Sequence, residues 1–171
     1  MNKMLARWNL LDAHSAAQEI MPCCGSQAWA DGLAARRPID DESALLAQSS
    51  AVWIALPEAA WHEAFNSHPR IGEKNAQTHA TAASLQSSAQ EQATALSADE
   101  IAKAALREGN QRYEEKFGRI FIVCASGRSA EEILHILERR MLNSAATELQ
   151  QAAEQQRQIT ELRLRRWLEA D

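Results

Sequence analysis

The stretch 144–168, SAATELQQAAEQQRQITELRLRRWL, decides the fold class. Leu149, Ala152, Ala153, Gln156, Ile159, Arg163 and Trp167 recur at steps of three or four, which places them on one stripe of a helix over 144–168. Arg163 therefore lies on or beside the apolar face, where a guanidinium is expensive to bury without an anionic partner. The same texture continues toward the amino terminus. Ser129-Ala-Glu-Glu132 has the spacing of a capping box, in which hydroxyl and carboxylate satisfy each other's orphan backbone donors, and it predicts a helix over 130–142. Ser97-Ala-Asp-Glu100 repeats the signal for a helix over 98–117, with Gly118 as its stop. Earlier helices are expected over 6–20, ending because Pro22 disfavours helix at Met21, then over 27–35, 41–56 and 57–66, with Pro57 in a first turn. Only four prolines and six glycines interrupt a chain rich in Ala, Leu, Gln, Glu and Arg. The expectation is an all-α, single-domain helical bundle over residues 1–171, a length that buries a substantial core.

One run resists this reading. Ile120-Phe-Ile-Val-Cys-Ala125 is β-branched and aromatic and, taken alone, reads as a strand. A strand without a partner leaves its backbone groups unpaired, so an extended crossing segment near 120–125 is expected, and such a segment can offer amides to a ligand. The alternative is a buried hydrophobic linker or a helix start. Residues 77–95, rich in Ala, Ser, Thr and Gln, read as a flexible lid.

Composition excludes several classes. A net charge of -5 argues against a nucleic-acid footprint, which needs a basic face, and favours a small metabolite or another protein as partner. Nothing approaches the roughly 18 apolar residues of a membrane span, and residues 1–11 are too polar for a signal peptide. Three cysteines, Cys23 and Cys24 adjacent and Cys124 alone, make a disulfide framework improbable and point to a cytoplasmic protein. The carboxyl terminus, Leu168-Glu-Ala-Asp171, carries no peroxisomal tripeptide.

Chemistry concentrates in Asn66-Ser-His68-Pro69-Arg70-Ile-Gly72-Glu73. Pro69 pushes His68 out of the helical region, so the imidazole is expected on an extended turn past a helix end, able to exchange a proton near neutral pH. The plain alternative is a helix stop whose ring caps nearby carbonyls. Ser88-Ala89-Gln90-Glu91-Gln92 is a second cluster. Its capping-box spacing predicts a helix start, where a hydroxyl, a carboxylate, an amide and backbone N–H groups suit a polar anion. Arg163 is expected either to pair with an internal carboxylate such as Glu91 or to serve a substrate carboxylate. His62-Glu63 lacks the second histidine of a zinc-protease motif, the remaining histidines are too scattered for a metal site, and no serine elbow, P-loop or dinucleotide glycine pattern occurs. Cys124, among apolar neighbours, reads as an inert buried thiol.

His68-Pro-Arg-Ile-Gly72, Ser88-x-x-Glu91-Gln92, Tyr113-x-x-Lys-Phe-Gly118 leading to Phe121–Ala125, and Leu162-Arg163-Leu164, in this order, strongly resemble the family of OHCU decarboxylases, where OHCU is 2-oxo-4-hydroxy-4-carboxy-5-ureidoimidazoline. The likeness covers nearly the whole chain. It implies an all-α, cofactor-free and homodimeric lyase of urate and purine catabolism, acting on a small ureide to give (S)-allantoin. It places catalytic positions on His68, Glu91 and Arg163. Substrate contacts are implied at Pro69, Ser88, Ala89, Gln90, Glu91, Gln92, Phe121, Ile122, Val123, Cys124 and Ala125. Animal members often carry Asp-Leu-Ala-Gly after the His-Pro pair where this chain has Arg70-Ile71-Gly72-Glu73, which looks like the bacterial form of the motif and leaves the roles of Arg70 and Glu73 open. Two other readings remain beside it. One is a hydrolase of a neighbouring ureide that uses the same histidine and carboxylate to activate water. The other is a helical interaction module in which His68, Glu91 and Arg163 are caps and an internal ion pair.

Overall fold

In the computed structural model, residues 2–72, 80–96 and 99–170 are described, and among them ten helices and no strand occur. Glu73, residues 77–79, Ser97 and Ala98, each part of an expectation from the sequence, lie outside the described residues. The chain divides into two compact units, residues 1–64 with 157–171, and residues 65–156.

The first unit contains α1 (Lys3–Asn9), α2 (Ala13–Cys24), α3 (Gln27–Ala34), α4 (Glu42–Ala55) and most of α5 (Glu58–Asn66), with the later half of α10 (Ala145–Glu169). Each of the first four has a polar N-cap: Asn2, Asp12, Ser26 and Asp41 accept from the backbone N–H three residues on. Asp12 corrects the single helix expected over 6–20. Its carboxylate takes the N–H of Ser15 at 3.0 Å and starts a new helix after the break at Leu10. Pro22 does not stop this helix either. It sits in the last turn of α2, which runs on to Cys24 and ends at Gly25 in the left-handed region, φ 84°. There the Gly25 N–H donates to the Met21 carbonyl at 2.9 Å. Burial of Ile20, Cys23 and Cys24 along that helix offsets the missing proline donor. The core holds Leu5, Trp8, Ile20, Trp29, Leu33 and Leu45. Its buried indoles are satisfied, Trp8 Nε1 by the Ala16 carbonyl at 2.9 Å and Trp29 Nε1 by Ser49 Oγ at 3.2 Å.

The second unit contains α6 (Ala82–Glu91), α7 (Ala93–Leu96), α8 (Glu100–Phe117), α9 (Ala130–Arg140) and the first half of α10. The expected lid is therefore helical across 82–91, because Thr81 caps it by accepting the Ser84 N–H at 3.0 Å. Asp99 caps α8, taking the Ala102 N–H at 2.8 Å, so the helix starts at Glu100, later than the expected start at residue 98. Gly118 ends α8 in the left-handed region, and Ser129 and Glu132 form the anticipated capping box of α9. Tyr113, Leu106, Phe121, Val123, Ile133 and Leu137 make the core here. α8 and α9 come close at Gly109, where an added Cβ would meet methyl carbons of Leu134 and Leu137 at 3.3 Å. Residues 120–125 form the extended crossing segment, and Ile120, Phe121, Ile122, Val123 and Ala125 are all buried.

Candidate active site

α5 ends at Asn66 and the chain leaves it through a turn in which the His68 N–H donates to the Phe65 carbonyl at 3.2 Å. Ser67, His68 and Pro69 are buried, and His68 is only 7 % exposed. His68 thus sits in a turn just past a helix end, where the His-Pro pair predicts it. Three contacts pin residues 70–72 just after it. Arg70 makes a two-point ion pair with Glu114 on α8, Nε to Oε1 at 2.5 Å and Nη2 to Oε2 at 3.0 Å. Asn110, one turn earlier on α8, donates to the Ile71 carbonyl at 3.0 Å. Gly72, at φ 91°, donates its N–H to Gln92 Oε1 at 3.1 Å. Arg70, whose role the sequence leaves open, thus anchors the turn to α8.

Ser88, Glu91 and Gln92 are buried, whereas Ala89 and Gln90 are exposed. They do not begin a helix. Ser88–Glu91 is the last turn of α6 and Gln92 is its C-cap, donating its N–H to the Ser88 carbonyl at 3.0 Å. The capping-box spacing misleads because Thr81 has already taken the N-terminal position. A helix end presents carbonyls and the negative pole of the dipole, so anion recognition by backbone N–H groups is not available from this turn. What the turn offers is side chains: a hydroxyl, a carboxylate and an amide whose oxygen holds Gly72.

The extended segment is wired by side chains. Arg140 Nη1 donates to the Ile122 carbonyl at 2.6 Å, and its guanidinium lies over the Phe121 ring, 4.5 Å from the centroid. The Cys124 N–H donates to Gln155 Oε1 at 2.9 Å, and its carbonyl accepts from Arg128 Nε at 3.1 Å. The backbone groups of Phe121 and Val123 make no hydrogen bond to a described residue. Buried and unpaired, they are what a ligand rich in amides can satisfy. Cys124 itself is half-buried, not fully buried as its neighbours suggest.

Behind the segment lies an ionic node that the sequence does not announce. Glu148, 0 % exposed, accepts from Tyr113 Oη at 2.6 Å and Arg140 Nε at 2.8 Å through Oε1, and from Asn143 Nδ2 at 2.9 Å through Oε2. Burial and the carboxylate beside it push the Tyr113 hydroxyl well above the usual phenol range, so it stays protonated and donates.

α10 joins these pieces with two consecutive glutamines. Gln155 holds Cys124, and the fully buried Gln156 meets His68, Nε2 to Oε1 at 2.7 Å. His68, Pro69, Ser88–Gln92 and Phe121–Ala125 therefore all belong to the unit 65–156. Arg163 belongs to the other. It is buried on α10, two turns beyond Gln156 on the same helix, and donates Nη1 to the Pro22 carbonyl at 3.3 Å. Nearby, burial pushes the Cys24 thiol up to about 12. A cleft of about 540 Å³ is lined by Arg70, Arg107, Asn110, Gln111, Glu114 and Glu115, and another of about 390 Å³ by Arg128, Arg139 and Gln155 among others; neither includes His68 or Glu91.

Comparison with known proteins bears on this arrangement. The sequence profile of the OHCU decarboxylase family matches residues 9–165, across both units. The chain is 36% identical over 143 residues to the uric acid degradation bifunctional protein TTL of Arabidopsis thaliana, covering 83% of this chain and 44% of that protein, so it spans less than half of that relative's length. It is 33% identical over 129 residues to the 2-oxo-4-hydroxy-4-carboxy-5-ureidoimidazoline decarboxylase of Amia calva, covering 75% of this chain and 73% of that one. Its structure is similar to that of an OHCU decarboxylase crystallised in the presence of (S)-allantoin, with a TM-score of 0.76 and 33% identity over 88% of this chain and 97% of the other. An (S)-allantoin synthase structure shares the fold, with a TM-score of 0.71 at 17% identity, covering 95% of this chain and 53% of that one.

Proposed function

The chain belongs to the OHCU decarboxylase family, and on that premise we propose that it is a carboxy-lyase converting OHCU to (S)-allantoin and carbon dioxide in urate degradation, as one catalytic domain and without a cofactor. The observation that carries this reading is the likeness, over nearly nine-tenths of the chain, to an OHCU decarboxylase crystallised in the presence of (S)-allantoin.

The chemistry suits the parts. In the substrate, C4 bears both the carboxylate and the hydroxyl. Breaking the bond to the carboxylate releases carbon dioxide, and the electron pair passes through the imidazoline ring to its imine nitrogen, which takes up a proton. A proton then reaches the ring carbon on one face, while the 4-hydroxyl gives up its proton and becomes a carbonyl. Because the ring accepts the electrons, the protein's task is to hold the carboxylate out of the ring plane, stabilise developing charge and direct the proton. His68 is the group assigned to the 4-hydroxyl, and its burial on a turn anchored at Arg70, Ile71 and Gly72 supports that assignment. Glu91 orients His68 or the ureido arm. Ser88 and the amide nitrogen of Gln92 bond the ureido arm, with Pro69, Ala89 and Gln90 as flanking contacts. Backbone groups from Phe121 to Ala125 read the ring amides, a role supported at Phe121 and Val123 by their lack of other described partners. Arg163 anchors an anionic or carbonyl oxygen, an assignment resting on the family pattern. The acting species is a homodimer, again from the family pattern. Three free cysteines fit a reducing cytoplasm, and no described helix is long and apolar enough to cross a membrane.

The test is to add purified protein to substrate freshly generated from urate and follow circular dichroism. Spontaneous decay gives racemic allantoin, so a growing signal of the (S) enantiomer with release of carbon dioxide is expected. The same trace with His68→Asn should fall to the uncatalysed course. A trace from folded protein that matches the blank, or a product heavier by one water, rejects the decarboxylase reading.

A further inference from the structure

We infer that Gln156 is a positioning residue that fixes the tautomer of His68 by holding the proton on Nε2. The inference rests on His68 being the working histidine of the proposed reaction. It starts from one contact: His68 Nε2 and Gln156 Oε1 are 2.7 Å apart, and both residues are buried, Gln156 completely. An amide oxygen only accepts, so a hydrogen bond of this length requires the proton on Nε2. In the neutral ring the lone pair is then on Nδ1.

Three features make this a device rather than an incidental bond. Gln156 occupies a position on the apolar stripe of α10, where burying an amide without a partner costs on the order of 1–3 kcal/mol, so the site is built around the bond. Its neighbour Gln155 holds the Cys124 N–H, so one helix sets both the ring and the extended segment that faces the substrate. The chain just after the histidine is meanwhile fixed at Ile71, Arg70 and Gly72 by Asn110, Glu114 and Gln92, which holds the backbone that carries the ring.

The experiment is 15N NMR of the imidazoles at a pH where they are neutral, with the His68 signals, among five histidines, identified by difference against His68→Asn. The wild-type protein should show a protonated Nε2 and an unprotonated Nδ1. A protonated Nδ1, the outcome if the amide nitrogen of Gln156 were the donor, overturns the inference. Gln156→Met conserves volume and removes the acceptor, so it should abolish the tautomer preference and lower kcat by at least about tenfold, the scale seen when a histidine's outer hydrogen-bond partner is lost, with KM nearly unchanged. A smaller loss in kcat, or one carried by KM, also overturns it. Gln156→Glu keeps an acceptor and should keep Nε2 protonated, which preserves the test if the methionine variant does not fold. The NMR reading needs no turnover. A protonated Nε2 in a protein that fails to decarboxylate rejects the functional reading alone, whereas turnover with a protonated Nδ1 rejects this inference alone.

Discussion

Replacing Glu148 with glutamine removes one negative charge at constant shape from the most buried ionic group of the unit 65–156. In the native protein its two oxygens receive Tyr113, Arg140 and Asn143. Glutamine can still accept from Tyr113 and Arg140 through its oxygen, but its NH2 then faces Asn143 Nδ2, donor against donor. Arg140, whose side chain is 6% exposed, is left without a counter-charge. Breaking one side of a buried pair costs about 3–5 kcal/mol, because the surviving charge cannot recover its hydration. The chain has 171 residues, and at about 2.1 cal/mol/K per residue its unfolding entropy is roughly 0.36 kcal/mol/K, so the loss corresponds to a fall in Tm of about 8–14 °C. Differential scanning calorimetry with urea unfolding reads this directly. The double variant Arg140→Met with Glu148→Leu should cost less than Glu148→Gln alone, since an apolar pair leaves no stranded charge. A single-variant loss below about 1 kcal/mol, or a double variant as damaging as the sum of both single changes, would refute the argument that charge pairing at this node holds the segment Phe121–Ala125.

Three further outcomes are expected. Glu114→Ala opens the ion pair with Arg70, which is partly exposed (31% and 24%) and therefore worth only about 0.5–1 kcal/mol of stability; decarboxylation, read from allantoin dichroism, should fall by about tenfold because the turn carrying His68 shifts, and unchanged kcat/KM would detach Arg70 from the site. Gly109→Val forces branched carbon against Leu134 and Leu137, already at 3.3 Å from an ideal Cβ, and should destabilise by about 1–3 kcal/mol in urea unfolding; a neutral result would mean α8 and α9 separate freely. Stability should also decline in alkali. Cys24 is raised by burial from the usual 9.0 to about 12 in the folded chain, so above pH 9 the unfolded state loses a proton the folded state keeps, and the contribution present below pH 9 is lost as pH rises toward 12. Unfolding free energy measured at about pH 8 and about pH 10.5 in wild type and Cys24→Ala should fall more in the wild type, and equal slopes would show that Cys24 is not responsible.

Local signals in the sequence succeeded where one side chain governs one backbone. Gly118 and the Ser129–Glu132 box end and begin helices where expected, because a left-handed cap and a reciprocal cap are settled within four residues. The same locality explains the errors. Asp12, Thr81 and Asp99 are caps of equal chemistry, and which of several polar residues takes a helix start is decided by what the helix must bury. Pro22 reads as a stop, yet α2 continues through it because Ile20, Cys23 and Cys24 gain more from the core than the lost donor costs. Ile120–Ala125 was readable as an extended segment without a strand partner, but not in its contacts, since the side chains of residues 128, 140 and 155 that bond it are encoded by no pattern within the segment.

The sequence names candidate site residues but not the wiring that holds them. His68 and Pro69 advertise a turn, but nothing near them points to Asn110, Glu114 or Gln156, which lie 39, 44 and 88 positions from their partners. A usable signal was nevertheless present. Gln156 and Arg163 sit on a stripe where periodicity calls for apolar residues, and Glu148 and Arg140 prove equally buried. Burial of a polar side chain is tolerated only when a partner waits for it, so each polar residue on an apolar stripe is a statement that some other segment must come to it. By that rule Gln156 demands a donor and Arg163 an acceptor before any fold is known. The histidine turn supplies the first demand and the Pro22 carbonyl meets part of the second. The helix interior thus encodes contacts that the loops carrying the chemistry cannot encode for themselves.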